Sequence, residues 1–426
     1  MLDLKWIREN PDRVRQGLAA KNASFDLDKL LELDSKKRIF LKEVEDLKFK
    51  RNTANEDITR LKKAGQNDQA NDVIASMKSI SQRIKEIDDR VGDFSSKITE
   101  MLHVVPNMTH ESVPVAKGAE GNKVVRTWGE PRKFDKAKDH LQIAELYNPP
   151  PINMSWGAKI AGAGFPVYIG WGARLERALV NFMLDLHTIK HGYTEVWPPA
   201  LVNRASMTGT SQLPKFEDDM YRLKDEDFFL VPTAEVPVTN LLREEILKEK
   251  DLPVKFAAYS PCFRREAGSY GKDTRGLSRV HQFDKIEMVK FVRPEDSLDE
   301  LESLVQNAET VLQALELPYR VVLLGSGDMS FAAAKCYDLE AWAPGTQKWF
   351  EVSSCSTFWD FQSRRMNIRF QREKSDKLEF VHTLNGSGVA LARTVLCLWE
   401  NMQPTGTELQ VSDFPAALRP YLKPLC

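Results

Sequence analysis

From Leu30 onward the apolar and small residues return in steps of three and four or their multiples: Leu30, Leu33, Phe40, Val44, Leu47, Ala54, Ile58 and Leu61. Lys37 and Arg51 fill the two gaps in that series. A second series, Val73, Met77, Ile80, Ile84, Ile87, Val91, Phe94 and Ile98, keeps the same spacing without a slip. Heptad repetition puts one apolar stripe along a helix, and a second helix must cover it. Between the series lies KKAGQNDQAND, polar and with a single glycine. The pattern therefore predicts an antiparallel coiled coil over about 28–102, two helices of about 30 residues each and roughly 45 to 50 Å long.

Periodicity changes beyond this hairpin. Residues 104 to 153 hold VVPN, SVPV, KGAEGN and YNPPPIN, a proline and glycine density that predicts a linker with short strands over 105–153. GARLERALVNFMLDLHTIKHGY is helical in period, and TEVWPPALV, FFLVPT, VKFAAYSPCFR, SRVHQFDKIEMVKF, YRVVLLG, YDLEAWAP, KWFEVSSCS and RMNIRFQ read as strands. Helical stretches, notably 296 to 316, lie between several of them. Closely spaced, hairpin-like strands predict an α+β domain over 154–426: an antiparallel sheet with helices packed on it, preceded by an N-terminal domain over 1–104 that carries the coiled-coil arm.

Two domains also suit a length of 426 residues. With 60 basic against 61 acidic residues, a polyanion would have to be met by a local patch. The first helix of the hairpin offers one, since residues 36–63 hold ten Lys or Arg against five Asp or Glu, while 70–100 hold five against six. Lys48, Lys50, Arg51, Lys62 and Lys63 could neutralise phosphates along a nucleic-acid backbone; a solvated coiled coil explains the same charges. The charged N-terminus MLDLKWIRENPDRVRQ does not read as a signal peptide, and no apolar run reaches the roughly 20 residues of a bilayer span, so a cytoplasmic protein without membrane contact is expected. Cys262, Cys336, Cys355, Cys397 and Cys426 form no CxxC pair, which predicts reduced, buried thiols rather than a disulfide framework or a zinc ribbon.

The candidate chemistry lies in two places. AAYSPCFRRE and LSRVHQFDKIEMVKF flank the charged, glycine-rich tract AGSYGKDTRG as a long hairpin. Pleat alternation puts Arg264 with Glu266 on one face, and Arg279, His281, Phe283, Lys285 and Glu287 on one face of the next strand. Such a face is either a salt-bridged surface or a nucleotide site with Arg264 on a phosphate, Phe283 on a base and Glu287 on an ammonium. In HTLNGSGVALARTVLCLWENM a glycine-rich turn leads into an apolar helix with Arg393 in its first turn, where the helix dipole disfavours a cation. That arginine needs an anion, supplied by a core carboxylate or by the same nucleotide's phosphates.

With those residues identified, GYTEVWPP (192–199), FRREAG with HQFDKIEMVKF (263–291) and NGSGVALAR (385–393) resemble motifs 1, 2 and 3 of the class II aminoacyl-tRNA synthetases. VPTAEVPVTN, GSYGKDTRGLSRVHQF, EVSSCSTFWDFQSRRMNIRF and the helical hairpin extend the resemblance to the seryl-tRNA synthetases, from Met1 to about Pro415. The resemblance implies ATP-dependent activation of L-serine to seryl-adenylate and transfer to the 3′ end of tRNA(Ser), with tRNA(Sec) an open second substrate. It implies Arg264 on the α-phosphate, Arg265 nearby, Glu266 on the adenine amino group, Phe283 and Val280 against the base, and Arg393 closing over the γ-phosphate. Glu351 and Ser354 would hold Mg²⁺, with Val352 and Ser353 in the same ATP-binding strand. Thr233, Ala234, Glu235, Glu287 and Ser387 would line the serine pocket. A pocket that reads a hydroxyl rejects alanine, because the missing group strands buried polar atoms. The family's arm grips the long variable arm of tRNA, here through Lys48, Lys50, Arg51, Lys62 and Lys63, and the family works as a homodimer, with Pro199 at the interface. The chain departs from the family pattern at Gly164, where an arginine is common, and at Pro166, which interrupts an otherwise continuous strand.

Overall fold

The computed structural model describes residues 1–267, 275–404 and 408–423. Their contacts divide the chain into two compact units, one of Leu2–Gln16 with Ser24–Val105, the other of Met1, Gly17–Ala23 and Pro106–Cys426.

In the first unit two long helices, α1 (Leu27–Lys63) and α2 (Asn67–Val104), run back along each other. Asp26 caps α1 by accepting from the Lys29 amide at 2.9 Å. Gly65, at φ 74°, turns the chain in only three residues between the helices. Asn67–Asp72, polar enough to read as loop, is helical, so each helix runs to about 55 Å rather than 45 to 50 Å. The seam is the one the heptads predict: Val44, Ile84 and Ile87 are buried, with Phe40, Leu47, Ile80 and Val91 packed against them. Phe40 stacks on Phe94 with centroids 5.8 Å apart.

The second unit is built on an eight-stranded sheet. In chain order the strands are β1 (Lys123–Trp128), β2 (Thr194–Val196), β3 (Val254–Phe263), β4 (Gln282–Val292), β5 (Tyr319–Leu323), β6 (Lys335–Ala343), β7 (Lys348–Trp359) and β8 (His382–Ala390). They lie side by side as β1-β5-β6-β7-β8-β4-β3-β2, every pair antiparallel except β2 with β3. The fold is α+β, as expected. β1 comes from the proline-rich stretch before the domain and adds the outermost strand.

Strand alternation sorts the sheet into two faces. Tyr337, Leu339 and Ala341 of β6, Leu384 of β8 and Ile286 and Met288 of β4 turn toward helices α3 (Trp171–Asp185), α6 (Ser297–Ala314) and α7 (Leu391–Met402), forming the main core. Contact is close: a Cβ on Gly386 would lie 2.7 Å from the Cys355 Sγ and 3.1 Å from Leu304. The NGSG segment is accordingly strand β8 and not the turn expected from its glycines; those glycines let a helix settle onto the sheet. The opposite face carries the polar side chains and the cavity. Two short helices, α4 (Arg204–Gly209) and α5 (Glu235–Thr239), border it.

Cys262, Cys336, Cys355 and Cys397 are buried free thiols, in line with expectation, and Cys426 lies outside the described residues. No helix among the described residues is long and apolar enough to cross a membrane.

Candidate active site

The polar face of the sheet floors one cavity of about 430 Å³. β4 contributes Phe283, Lys285 and Glu287 at alternate positions, as the pleat predicts. Its alternation does not reach further back, because the strand begins at Gln282. Arg279 lines the cavity and pairs with Glu266 at 2.5 Å. His281 does not: its ring stacks on Phe165, 5.3 Å away, and its Nδ1 contacts the Arg264 carbonyl at 2.9 Å. Glu266 is left-handed, φ 51°, just past the end of β3. The tract 268–274, central to the predicted hairpin loop, lies outside the described residues.

Two further arginines line the cavity. Arg264 is exposed to it, with its guanidinium 5.2 Å above the Phe283 ring and Nε 3.3 Å from the Pro232 carbonyl. Arg393, in the first turn of α7, donates from Nε to the Ser278 carbonyl at 3.0 Å and from Nη1 to the Glu351 carbonyl at 2.8 Å. Its Nη1 stands 3.5 Å from a Glu351 carboxylate oxygen. The anion that the sequence demands is thus partly supplied from within, by carbonyls and by a carboxylate that itself lines the cavity. Val280 adds an apolar side chain to the lining.

Glu351, Val352, Ser353 and Ser354 all line the cavity. Three residues apart on a regular strand, Glu351 and Ser354 would point to opposite faces. A bulge resolves this. Ser353 pairs with Leu339 but Glu351 pairs with Glu340, so Val352 is the extra residue and Glu351 rejoins Ser354 on the cavity side. Asp338 lies on the same face, its carboxyl pushed well above the usual range by burial and then by the neighbouring Glu351 charge. These hard oxygen donors suit Mg²⁺, and a buried carboxyl held off its ionised form is what a nearby cation would relieve.

Thr233, Glu235, Glu287 and Ser387 line the same cavity. The Thr233 hydroxyl donates to Glu287 Oε2 at 3.0 Å and accepts from Lys285 Nζ at 2.8 Å. Lys285 and Glu287, both buried, form an ion pair at 2.6 Å. Glu235 accepts from Gln362 Nε2 at 2.6 Å, and Gln362 is held in turn by Thr383 at 2.8 Å. Burial, and then the Glu287 charge, raise the Glu235 carboxyl to about 7. Lys285 was visible to the sequence as part of the pleat but received no role there. Its position beside two carboxylates, giving a site complementary to both ends of an amino-acid zwitterion, needs the folded sheet to be seen.

Two expected residues fall outside the cavity lining. The Ala234 side chain packs into an apolar cluster with Ala258, Val289 and Phe291, because the turn into α5 alternates Thr233 and Glu235 inward and Ala234 away. Arg265 turns outward; its amide and Nη1 bond to the Asp219 and Asp218 carbonyls.

On the arm, Lys48 pairs with Asp88 at 3.2 Å across the seam. Lys50, Arg51, Lys62 and Lys63 make no ion pair among the described residues, and all but half-buried Arg51 are exposed. Gly164 explains its departure from the family pattern: at φ 82° its carbonyl accepts from the His281 amide, and a Cβ there would meet the His281 ring at 2.5 Å.

Comparison with known proteins matches residues 1–109 to the seryl-tRNA synthetase N-terminal domain and 215–402 to the class II tRNA synthetase core domain (G, H, P, S and T). The serine–tRNA ligase of Chloroherpeton thalassium is 52% identical over 427 residues, 99% of each chain. That of Pelotomaculum thermopropionicum is 53% identical over 423 residues, 99% of this chain and 98% of its own. Among solved structures, seryl-tRNA synthetase from Pyrococcus horikoshii complexed with ATP superposes with a TM-score of 0.91 at 37% identity, covering 99% of this chain and 98% of that one. The cytoplasmic enzyme of Naegleria fowleri in complex with AMP gives 0.86 at 30% identity, covering 99% and 97%.

Proposed function

The chain belongs to the seryl-tRNA synthetases of class II, and from that membership we propose that it activates L-serine with ATP and passes the seryl group to tRNA(Ser). The carrying observation is that one cavity is lined both by Arg264 and Arg393 and by the Glu235, Lys285 and Glu287 cluster.

In the first step a serine carboxylate oxygen forms a bond to the α-phosphorus while the α–β bridge breaks, giving seryl-adenylate and pyrophosphate. No nucleophile of the protein is needed, so catalysis rests on alignment and on charge. Arg264 holds the α-phosphate, and the Phe283 ring beneath it takes the adenine face. Glu266, now paired with Arg279, accepts from the adenine amino group. Arg393 gives up its 3.5 Å contact with Glu351 to meet the terminal phosphate. Glu351 and Ser354 would hold Mg²⁺, which when bound offsets phosphate charge. Glu287 and Glu235 take the serine ammonium, Lys285 faces its carboxylate, and Ser387 with Thr233 reads the hydroxyl. Ala234 acts through its backbone and Arg265 by bracing the strand end. In the second step a terminal ribose hydroxyl oxygen bonds to the seryl carbonyl carbon as the bond from that carbon to the phosphate oxygen breaks; AMP leaves with the bonding electrons and its phosphate takes the hydroxyl proton.

Lys50, Arg51, Lys62 and Lys63 follow the RNA backbone along the arm, with Lys48 joining once Asp88 releases it. The enzyme acts as a homodimer through the edge beside β2, a strand of three residues flanked by Ile189, Trp197 and Pro199; Ile189 and Trp197 are 78% and 76% exposed.

Pyrophosphate exchange with each of the twenty amino acids tests the reading, and exchange driven best by anything but serine overturns it. A chain whose arm is cut back to the Phe40–Phe94 contact, removing 41–93, is expected to keep exchange and lose most tRNA charging.

A further inference from the structure

The cavity extends beyond what activation uses. Its lining includes the turn that follows α4 and the segment before β6, to which the steps described above assign no part in holding serine or ATP. At the end of α4 the chain reverses at Ser211, φ 74°, with the Ser211 amide bonded to the Thr208 carbonyl and the Gln212 amide to that of Met207, both at 3.1 Å. A left-handed serine is strained relative to glycine. Its side chain lines the cavity, is 4% exposed, and its hydroxyl has no hydrogen-bond partner. A buried hydroxyl left unsatisfied and directed at a cavity is a site for a polar ligand.

The groups around it complete a chemical description. Thr210 donates to Gln212 Oε1 at 2.5 Å, which leaves the NH₂ end of Gln212 as a donor. Lys215 Nζ stands 4.7 Å over the Phe331 ring and 5.5 Å over that of Phe216, and it forms no ion pair among the described residues. Both walls are braced. Asn240 Nδ2 ties α4 to α5 through the Ser206 and Val236 carbonyls at 3.0 and 2.8 Å, fixing this turn next to Thr233 and Glu235. Lys21 Nζ donates to the carbonyls of Ser330, Phe331 and Ala333 at 3.1, 3.3 and 2.7 Å, fixing the Phe331 side.

Aromatic faces, a hydroxyl, an amide donor and one cation are the partners of a base, a ribose and a single phosphate at the end of an unpaired strand. A triphosphate fits poorly, since Asp328, held by Asn122 at 2.7 Å, adds negative charge to the same wall. We propose that Ser211, Gln212, Lys215, Phe216 and Phe331 hold the 3′-terminal nucleotide of the tRNA and set its ribose hydroxyl against the seryl carbonyl. This rests on the function proposed above and assigns its second step to a separate wall.

The test compares Lys215→Ala and Phe216→Leu with the unaltered enzyme, measuring serine-dependent pyrophosphate exchange, single-turnover transfer from enzyme-bound seryl-adenylate, and inhibition by tRNA(Ser) with or without its last adenosine. Transfer should fall about 10- to 100-fold while exchange stays within about threefold. The unaltered enzyme should prefer intact over trimmed tRNA by about tenfold, and the variants should lose that preference. Transfer at the unaltered rate, exchange falling in parallel with transfer, or a preference unchanged in both variants overturns the assignment. If the unaltered enzyme shows exchange with another amino acid, the substrate reading fails instead, and transfer of that amino acid still scores the wall.

Discussion

Replacing Glu235 with glutamine removes a carboxyl that the fold holds against ionisation. Burial and the adjacent Glu287 charge lift it from 4.5 to about 7, outweighing the opposing Gln362 hydrogen bond and the Lys285 charge. Below that value Glu235 is neutral and attracts the serine ammonium weakly; above it, both carboxylates act. For the unaltered enzyme kcat/KM for serine in pyrophosphate exchange should climb by up to tenfold per pH unit from 5 to 7 and then level. The difference between a charged and a neutral hydrogen bond, about 1 to 2 kcal/mol, limits the whole rise to roughly 5- to 30-fold. Glu235→Gln should be flat from pH 5 to 8 and lower than the unaltered enzyme at pH 8 by about that factor. Stability should move oppositely. A carboxyl raised in the folded state contributes fully below 4.5, and its contribution is lost as pH rises through about 7, on the order of 3 kcal/mol in all. Glu235→Gln should therefore unfold at higher denaturant than the unaltered enzyme at pH 8, with the gap closing by pH 4.5. A pH step that survives in the variant, or a variant less stable at pH 8, would refute the argument.

Arg393→Lys keeps the charge but loses the fork that reaches the Ser278 and Glu351 carbonyls together; exchange should drop about 100-fold or more with unfolding unchanged within about 1 kcal/mol, and loss of activity explained by unfolding would remove its role. Gly164→Ala forces a Cβ to 2.5 Å from the His281 ring at φ 82°, which should destabilise the protein by at least 1 to 2 kcal/mol in urea titration and, through the His281 contact to the Arg264 carbonyl, raise KM for ATP; a neutral result in both would show that the segment relaxes freely.

Much of the molecule was legible in the chain because its patterns are local. Heptads at Val44, Ile84 and Ile87 gave the arm and its seam, and alternation at Phe283, Lys285 and Glu287 gave one wall of the site. Pattern misled where backbone geometry departs from the repeat. His281 is placed by a strand that starts one residue later, and β8 looked like a turn because its glycines serve packing against Leu304 and His187. Ala234 and Arg265 came with motif neighbours whose side chains point elsewhere.

The sequence by itself determined the α+β class, the helical arm and the family, since each is written in short-range periodicity or in ordered runs of residues. Only the tertiary structure decided that Glu351 and Ser354 share a face, that Lys285 lies against Glu287, and that the turn at Ser211 borders the same cavity as Arg393. Those relations depend on one bulge at Val352, on strand register and on segments nearly two hundred residues apart, and spacing along a chain carries no record of distances closed by packing.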